Sequence, residues 1–338
     1  MGSYVDDGFG GALTQANAQV MIDELYAMGR ATGTIFNMDK THGPATRLVI
    51  LGLLYCSVTQ SCRIGEDKLA KYSSRVALVI LRQATTSKAL EKIVGNLGYA
   101  AWVEPFGRPF LTFLAHHINH DDPKAVLPLT PLMTTALRIW FTILRRNRGL
   151  PYAYILGLMP KADSPIFVDA ASLVGLGGLH GSDYFMFGHA DLREFIHHCP
   201  GWAAYPCVPI AWLELLAVLV ALSLFGHRYP RHLIVLYSDN TNVIAWLGSR
   251  RSPNPVVSTL VAAIDRIKYK FLLKLSVRFI PSSKNVTADS LSRARVPQWL
   301  RRRGTRIFPC MSSLAHLVDS RNLVTSWIST INNLETCV

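Results

Sequence analysis

Apolar residues recur at helical spacing through ANAQVMIDELYAMGRATG, residues 16–33, and the run stops at a glycine. That pattern predicts an amphipathic helix. RLVILGLLY, residues 47–55, is a leucine and β-branched run that predicts a strand. Helical periodicity returns over residues 68–97, broken by the polar turn ATTS, and residues 130–146 predict a further helix. RRNRGLPYAYILGLMPKADSP, residues 145–165, combines a basic run, glycine and three prolines, which suits a connection between domains. Beyond it the texture changes. IFVDA, GLGGLH and DYFMFGH read as strands, AWLELLAVLVALSLF as a helix, LIVLYSD as a strand, NVIAWLGS and VVSTLVAAIDRIKYKFL as helices, LSVRFIP as a strand and NVTADSLSR as a helix. Three consecutive strands followed by alternating helices and strands predict an α/β (α+β) chain with a mixed sheet covered by helices. The expected divisions are residues 1–148, a linker over 149–164, a second domain over 165–295, and a basic tail over 296–338.

One run tests whether a membrane is involved. IAWLELLAVLVALSLFG, residues 210–226, is nearly all apolar, but it is shorter than the roughly 20 residues a span needs and it carries Glu214. A buried helix is the better reading, and no membrane is expected. The start of the chain shows no basic segment followed by an apolar one, so no signal peptide is expected. Six cysteines without CxxC pairs or zinc spacing read as reduced thiols of an intracellular protein, cytoplasmic or nuclear. The formal net charge of +13 points to an anionic partner, nucleic acid first.

The chemistry is carried by where the acids sit. Asp169 ends the apolar run IFV, Glu214 interrupts an apolar helix with no basic neighbour on it, Asp239 ends LIVLYS, and Asp289 lies in NVTADSLSR. Taken singly, Asp239 could cap the next helix and Asp169 could start a turn. Glu214 is harder to place that way, because a buried carboxylate is costly unless it is paired or bound to a cation. Several acids together suit Mg²⁺, which prefers oxygen ligands, and a pair of such ions supports phosphodiester hydrolysis.

FVDAAS, WLELLAV, YSDNTNVIAWL and FIPSSKNVTADSLSR, in this order, resemble the ribonuclease H domain of retroelement polyproteins. The resemblance implies a ribonuclease H-like fold with a five-stranded mixed sheet and helices. It implies Asp169, Glu214, Asp239 and Asp289 as catalytic, metal-binding acids, two Mg²⁺ ions with Mn²⁺ as a substitute, and no small-molecule cofactor. One departure stands out: many relatives carry a histidine where this chain has Ser283. Metal binding is expected to survive that change, while turnover is placed in question.

The resemblance extends toward the start. YVDD, GTIFNMDKTHGPATRLVILGLLY and LEKIVGNLGYAAWVEPFGRPFLTFL resemble the end of a reverse transcriptase palm followed by thumb and connection, most of all in tyrosine-recombinase (DIRS-like) retroelements. By that resemblance Asp6 and Asp7 are the metal-binding acids of the palm turn and Lys40 lies near departing pyrophosphate. A palm needs a further acid on an earlier strand, and GFGGAL is richer in glycine than the expected return strand, so no DNA polymerisation is expected from this chain alone.

The implied partner is an RNA–DNA hybrid, whose backbone is neutralised by Lys and Arg. Candidate contacts are Lys40, Asn240, Asn285, Arg146, Arg250 and Arg251, with Arg145, Arg148, Lys268, Lys270 and Lys274 nearby and Arg301, Arg302, Arg303 and Arg306 opening the tail. The leading expectation is a ribonuclease H-type endonuclease. The alternative is a non-catalytic or domesticated retroelement protein that binds nucleic acid without cutting it.

Overall fold

The computed structural model describes residues 2–4, 7–38, 41–172, 174–199, 202, 208–250, 252, 254–308, 311–318 and 327–330. Asp6, Lys40 and Arg251 lie outside the described residues, and of Asp7 only the backbone is described.

β1 (Gly2–Tyr4) and β2 (Asp7–Phe9) form a hairpin with Tyr4 opposite Asp7, a two-stranded sheet of its own. α1 (Gln15–Thr32) begins on Thr14, whose hydroxyl accepts from Asn17 N, and ends on Gly33 at φ 73°. The run expected as one strand is a hairpin: β3 (Arg47–Ile50) turns into β4 (Leu53–Cys56) through Leu51 and Gly52, both at positive φ. A two-residue turn matched to strand twist needs that backbone hand, which glycine adopts freely and leucine does not. Leu51 is held there because its carbonyl accepts from Lys68 Nζ at 2.8 Å and from the Tyr99 hydroxyl. β5 (Ser61–Ile64) follows, then α2 (Glu66–Arg82), β6 (Ala84–Thr86), α3 (Ser87–Ala100), α4 (Arg108–Ala115), β7 (Val126–Pro128) and α5 (Pro131–Arg146). α5 is capped by Thr130 with proline in its first turn, close to the expected bounds.

Residues 149–164 carry structure of their own. β8 (Leu150–Pro151) pairs with β5, and α6 (Tyr152–Leu156) follows it. Gly149 donates to buried Glu104 Oε1 at 2.7 Å, and Asn147 exchanges two hydrogen bonds with the Ile64 backbone. The stretch expected as a linker is fastened at both ends, to the first region through β8 and to the second through Pro160 and Ala162, whose backbones bond to Leu233 of the later sheet.

The sheet of the second region is built from β9 (Ile166–Ala171), β10 (Gly175–His180), β11 (Asp183–Phe187), β12 (Leu233–Ser238) and β13 (Lys274–Phe279). Its order is β13-β12-β9-β10-β11, with β9, β10 and β11 antiparallel and β9, β12 and β13 parallel. This is the mixed sheet implied for a ribonuclease H-like fold. A sixth strand, β14 (Thr305–Arg306), comes from the tail and pairs parallel with β11.

The helices of this region are α7 (His189–His198), α8 (Ile210–Phe225), α9 (Thr241–Ser249), α10 (Pro255–Phe271), α11 (Val286–Ser292), α12 (Gln298–Arg303) and α13 (Met311–Val318). α8 is apolar all round because it is covered all round, packing on β9, β10 and α10. Among the described residues it is the one helix that, continued to Arg228, is long and apolar enough to cross a membrane, and 72% of that window is buried in the protein.

Two large hydrophobic clusters organise the molecule. One joins β9, β10 and β12 to α8 and α10 through Ile166, Leu216, Leu236 and Ile264. The other gathers Ile64, Leu90, Phe106, Phe110 and Trp140 of the first region. α10 belongs to both: its Ala262 and Tyr269 lie in the second cluster, beside Trp327 of the tail.

Candidate metal centre

Asp169 is the fourth residue of β9 and Asp239 directly follows β12. The parallel pairing sets Phe167 beside Tyr237. Two residues further along each strand, the two acids come level. Glu214 reaches them from the first turns of α8, where Ala170 N donates to its Oε1 at 3.1 Å.

One carboxylate oxygen from each of Asp169, Glu214 and Asp239 lies within 4.8 Å of the others. Asp169 and Glu214 are buried and Asp239 is half-buried. Burial pushes the Glu214 carboxyl up to about 9, with the Asp169 and Asp239 charges adding to it and the Ala170 hydrogen bond opposing. Asp169 is pushed up to about 6, again by burial first, with Asp239 and Asp289 adding and the Ser292 hydroxyl opposing. Glu214 Oε2 is buried with no hydrogen-bond partner. Three acids in near contact, one with an orphaned oxygen, form a donor set that a hard divalent cation fits and could bind.

Asp289 is not in that group. Its Oδ1 accepts at 2.9 Å from Nε of Arg293, the residue that follows α11, although Asp289 is near enough to bias Asp169. The four acids implied by the sequence are therefore three together and one standing apart on a partly exposed ion pair.

The capping reading of Asp239 also resolves. Asn240 caps α9, its Oδ1 accepting from Asn242 N at 3.0 Å and Val243 N at 3.4 Å. Asp239 is thereby left to the acid group, and the Asn240 oxygen is already engaged.

Other candidate contacts are placed less simply. Asn285 is buried at 2% exposure, too deep to touch a duplex, and its Nδ2 donates to Val168 O at 2.9 Å. Lys268, expected on a basic face, is buried against Asp265 with Nζ to Oδ1 at 2.5 Å, and burial pulls its amine down to about 8. Arg250 turns inward, donating to Pro105 O at 2.9 Å beside Asp265 and the Phe106 ring. Lys274 donates to Tyr154 O at 2.9 Å, and Arg148 stands over the Tyr269 ring. Arg146 is half-buried, while Arg145, Lys270, Arg301, Arg302, Arg303 and Arg306 are exposed. In the first region, the β1–β2 hairpin, which Asp7 enters from the turn, pairs with no other strand among the described residues.

The signal missed in the sequence is a pair of serines. Ser282 Oγ donates to Asp239 Oδ2 and Ser292 Oγ to Asp169 Oδ2, both at 2.6 Å. Serine is too common, and its partners too distant along the chain, for spacing to reveal either bond.

No protein-family model matches the chain, and no curated protein matches it. Among solved structures it is similar to a foamy viral protease-reverse transcriptase in complex with RNA/DNA hybrid, at 12% identity and a TM-score of 0.34. That match covers 80% of this chain, which spans 34% of the viral chain.

Proposed function

We propose that residues 165–295 form a divalent-metal ribonuclease H-type endonuclease that cuts the RNA strand of RNA–DNA hybrids, joined to a partial reverse transcriptase of retroelement origin in residues 1–148. The observation that carries this reading is the triad of Asp169 within β9, Asp239 just past the parallel strand β12 and Glu214 on α8, with oxygens within 4.8 Å of one another. Mg²⁺, when bound, supplies a more acidic water and positive charge near the leaving oxygen. Asp169, Glu214 and Asp239 hold the cation, with Ala170 N fixing one oxygen of Glu214 and leaving Oε2 free as a ligand.

Asp289 is the added ligand for a second ion. Arg293 engages only its Oδ1, and a partly exposed pair of this kind is worth under about 1 kcal/mol, so the pair would hardly oppose binding of an ion by this carboxylate. Hydrolysis forms a bond from water oxygen to phosphorus and breaks the bond to the 3′ oxygen, which takes up a proton. The products are 5′-phosphate and 3′-hydroxyl ends. No polymerase step is assigned to the β1–β2 hairpin.

The test is incubation of the purified chain with end-labelled hybrid and Mg²⁺, beside Asp239→Asn. Cleavage by the wild type that falls at least 100-fold in the variant is the expected result. Hybrid retained but uncut by both proteins would replace this reading with that of a non-catalytic binder.

A further inference from the structure

The strand pairing beside the acids stops short of them. β9 and β12 are joined at Ile166 with Leu236 and at Phe167 with Tyr237, and the acids lie past the last paired rung. Their separation is therefore not set by ladder hydrogen bonds. One segment spans the gap: the turn Ser282–Lys284, then Asn285, then α11.

It is fixed at three points. Asn285 Nδ2 donates to Val168 O at 2.9 Å, one residue before Asp169. Ser282 Oγ donates to Asp239 Oδ2 at 2.6 Å. Ser292 Oγ lies 2.6 Å from Asp169 Oδ2 and 2.8 Å from Asp289 O, so its hydroxyl is shared between them. Distances of 2.6 Å are those of charge-assisted hydroxyl–carboxylate bonds.

We propose that Ser282 and Ser292 are positioning residues for the cation of this site, an inference that rests on the metal reading above. Each hydroxyl ties one oxygen of its aspartate and leaves the other for the ion. Together they hold the two carboxylates at a set separation across strands that no longer pair. Ser282 separates this role from a purely structural one: it is exposed, water could satisfy its hydroxyl, and folding does not need the bond. Its hydroxyl is nonetheless directed at a ligand oxygen.

Titration with Mn²⁺, followed by the electron paramagnetic resonance signal of the free ion, tests the proposal. Hydrogen-bond partners of metal ligands typically change affinity by about 10–100-fold, so Ser282→Ala and Ser292→Ala should each bind Mn²⁺ about tenfold more weakly. Ser282→Thr, which keeps the hydroxyl, should recover wild-type affinity. Ser290→Ala is the control on the same helix, because its hydroxyl bonds back to Val286 O at 2.8 Å, and it should bind as the wild type does. Unchanged affinity in both alanine variants overturns the proposal and leaves the metal site standing. An equal loss in Ser290→Ala, or no recovery in Ser282→Thr, also overturns it. Absence of Mn²⁺ binding by the wild type overturns both this proposal and the metal site.

Discussion

Glu214 is an acid whose charge the metal-free fold opposes. Its carboxyl is raised from 4.5 to about 9, so the folded chain binds that proton more tightly than the unfolded chain does. Between those values unfolding releases a proton, and this residue's contribution to stability falls as pH rises through the window. Without divalent cations, Glu214→Gln should therefore be more stable than the wild type at pH 8, by about 1–3 kcal/mol. The advantage should fade toward pH 4.5. Thermal melts of both proteins in chelator across this range check it, and a variant no more stable than the wild type at pH 8 would contradict it. This residue was legible in the sequence because an acid in an apolar helix has few explanations. Ser282 and Ser292 were not, because their roles exist only once residues 43 and 123 positions away are brought beside them.

Strands and helices were read well where pattern alone decides them, as in α5 and α8. The reading failed where a turn was disguised. Leu51 carries the apolar signature of a strand while adopting the backbone of a turn, because Lys68 and Tyr99 secure its carbonyl. α7 was missed for a different reason: its apolar stripe is short, only Leu192, Phe195 and Ile196, in a ten-residue run otherwise mostly polar or charged. The run GLGGLH was read as a strand, but the purpose of its glycines lies in its neighbours. A Cβ on Gly177 would sit 2.4 Å from Ser292 N and 2.6 Å from Leu291 C, so α11 lies directly on the backbone of β10. Gly177→Ala should push this helix outward, costing about 1–3 kcal/mol in guanidinium unfolding and weakening Mn²⁺ binding with it. Binding that survives undiminished would mean the segment over the acids is not held from below.

At the scale of the whole chain, the sequence disclosed a net charge of +13 and two textures, yet not how the two regions meet. Basic residues that looked available to phosphate are partly spent inside, where Asp265 holds Lys268 and stands beside Arg250. Asp265→Ala would leave a buried ammonium without its partner and should cost about 3–5 kcal/mol in guanidinium unfolding. Because α10 contributes to both hydrophobic clusters, calorimetry should show one unfolding transition rather than two. Separate transitions would support the division at 149–164 that composition suggests. Trp327 extends the same coupling in time. Its ring packs edge-on against Phe110 and near Tyr269, in a core whose other members are mostly far earlier in the chain. During synthesis the first region leaves the ribosome without the indole that completes its interior. Its apolar surface must then stay protected until the segment carrying Trp327 has emerged.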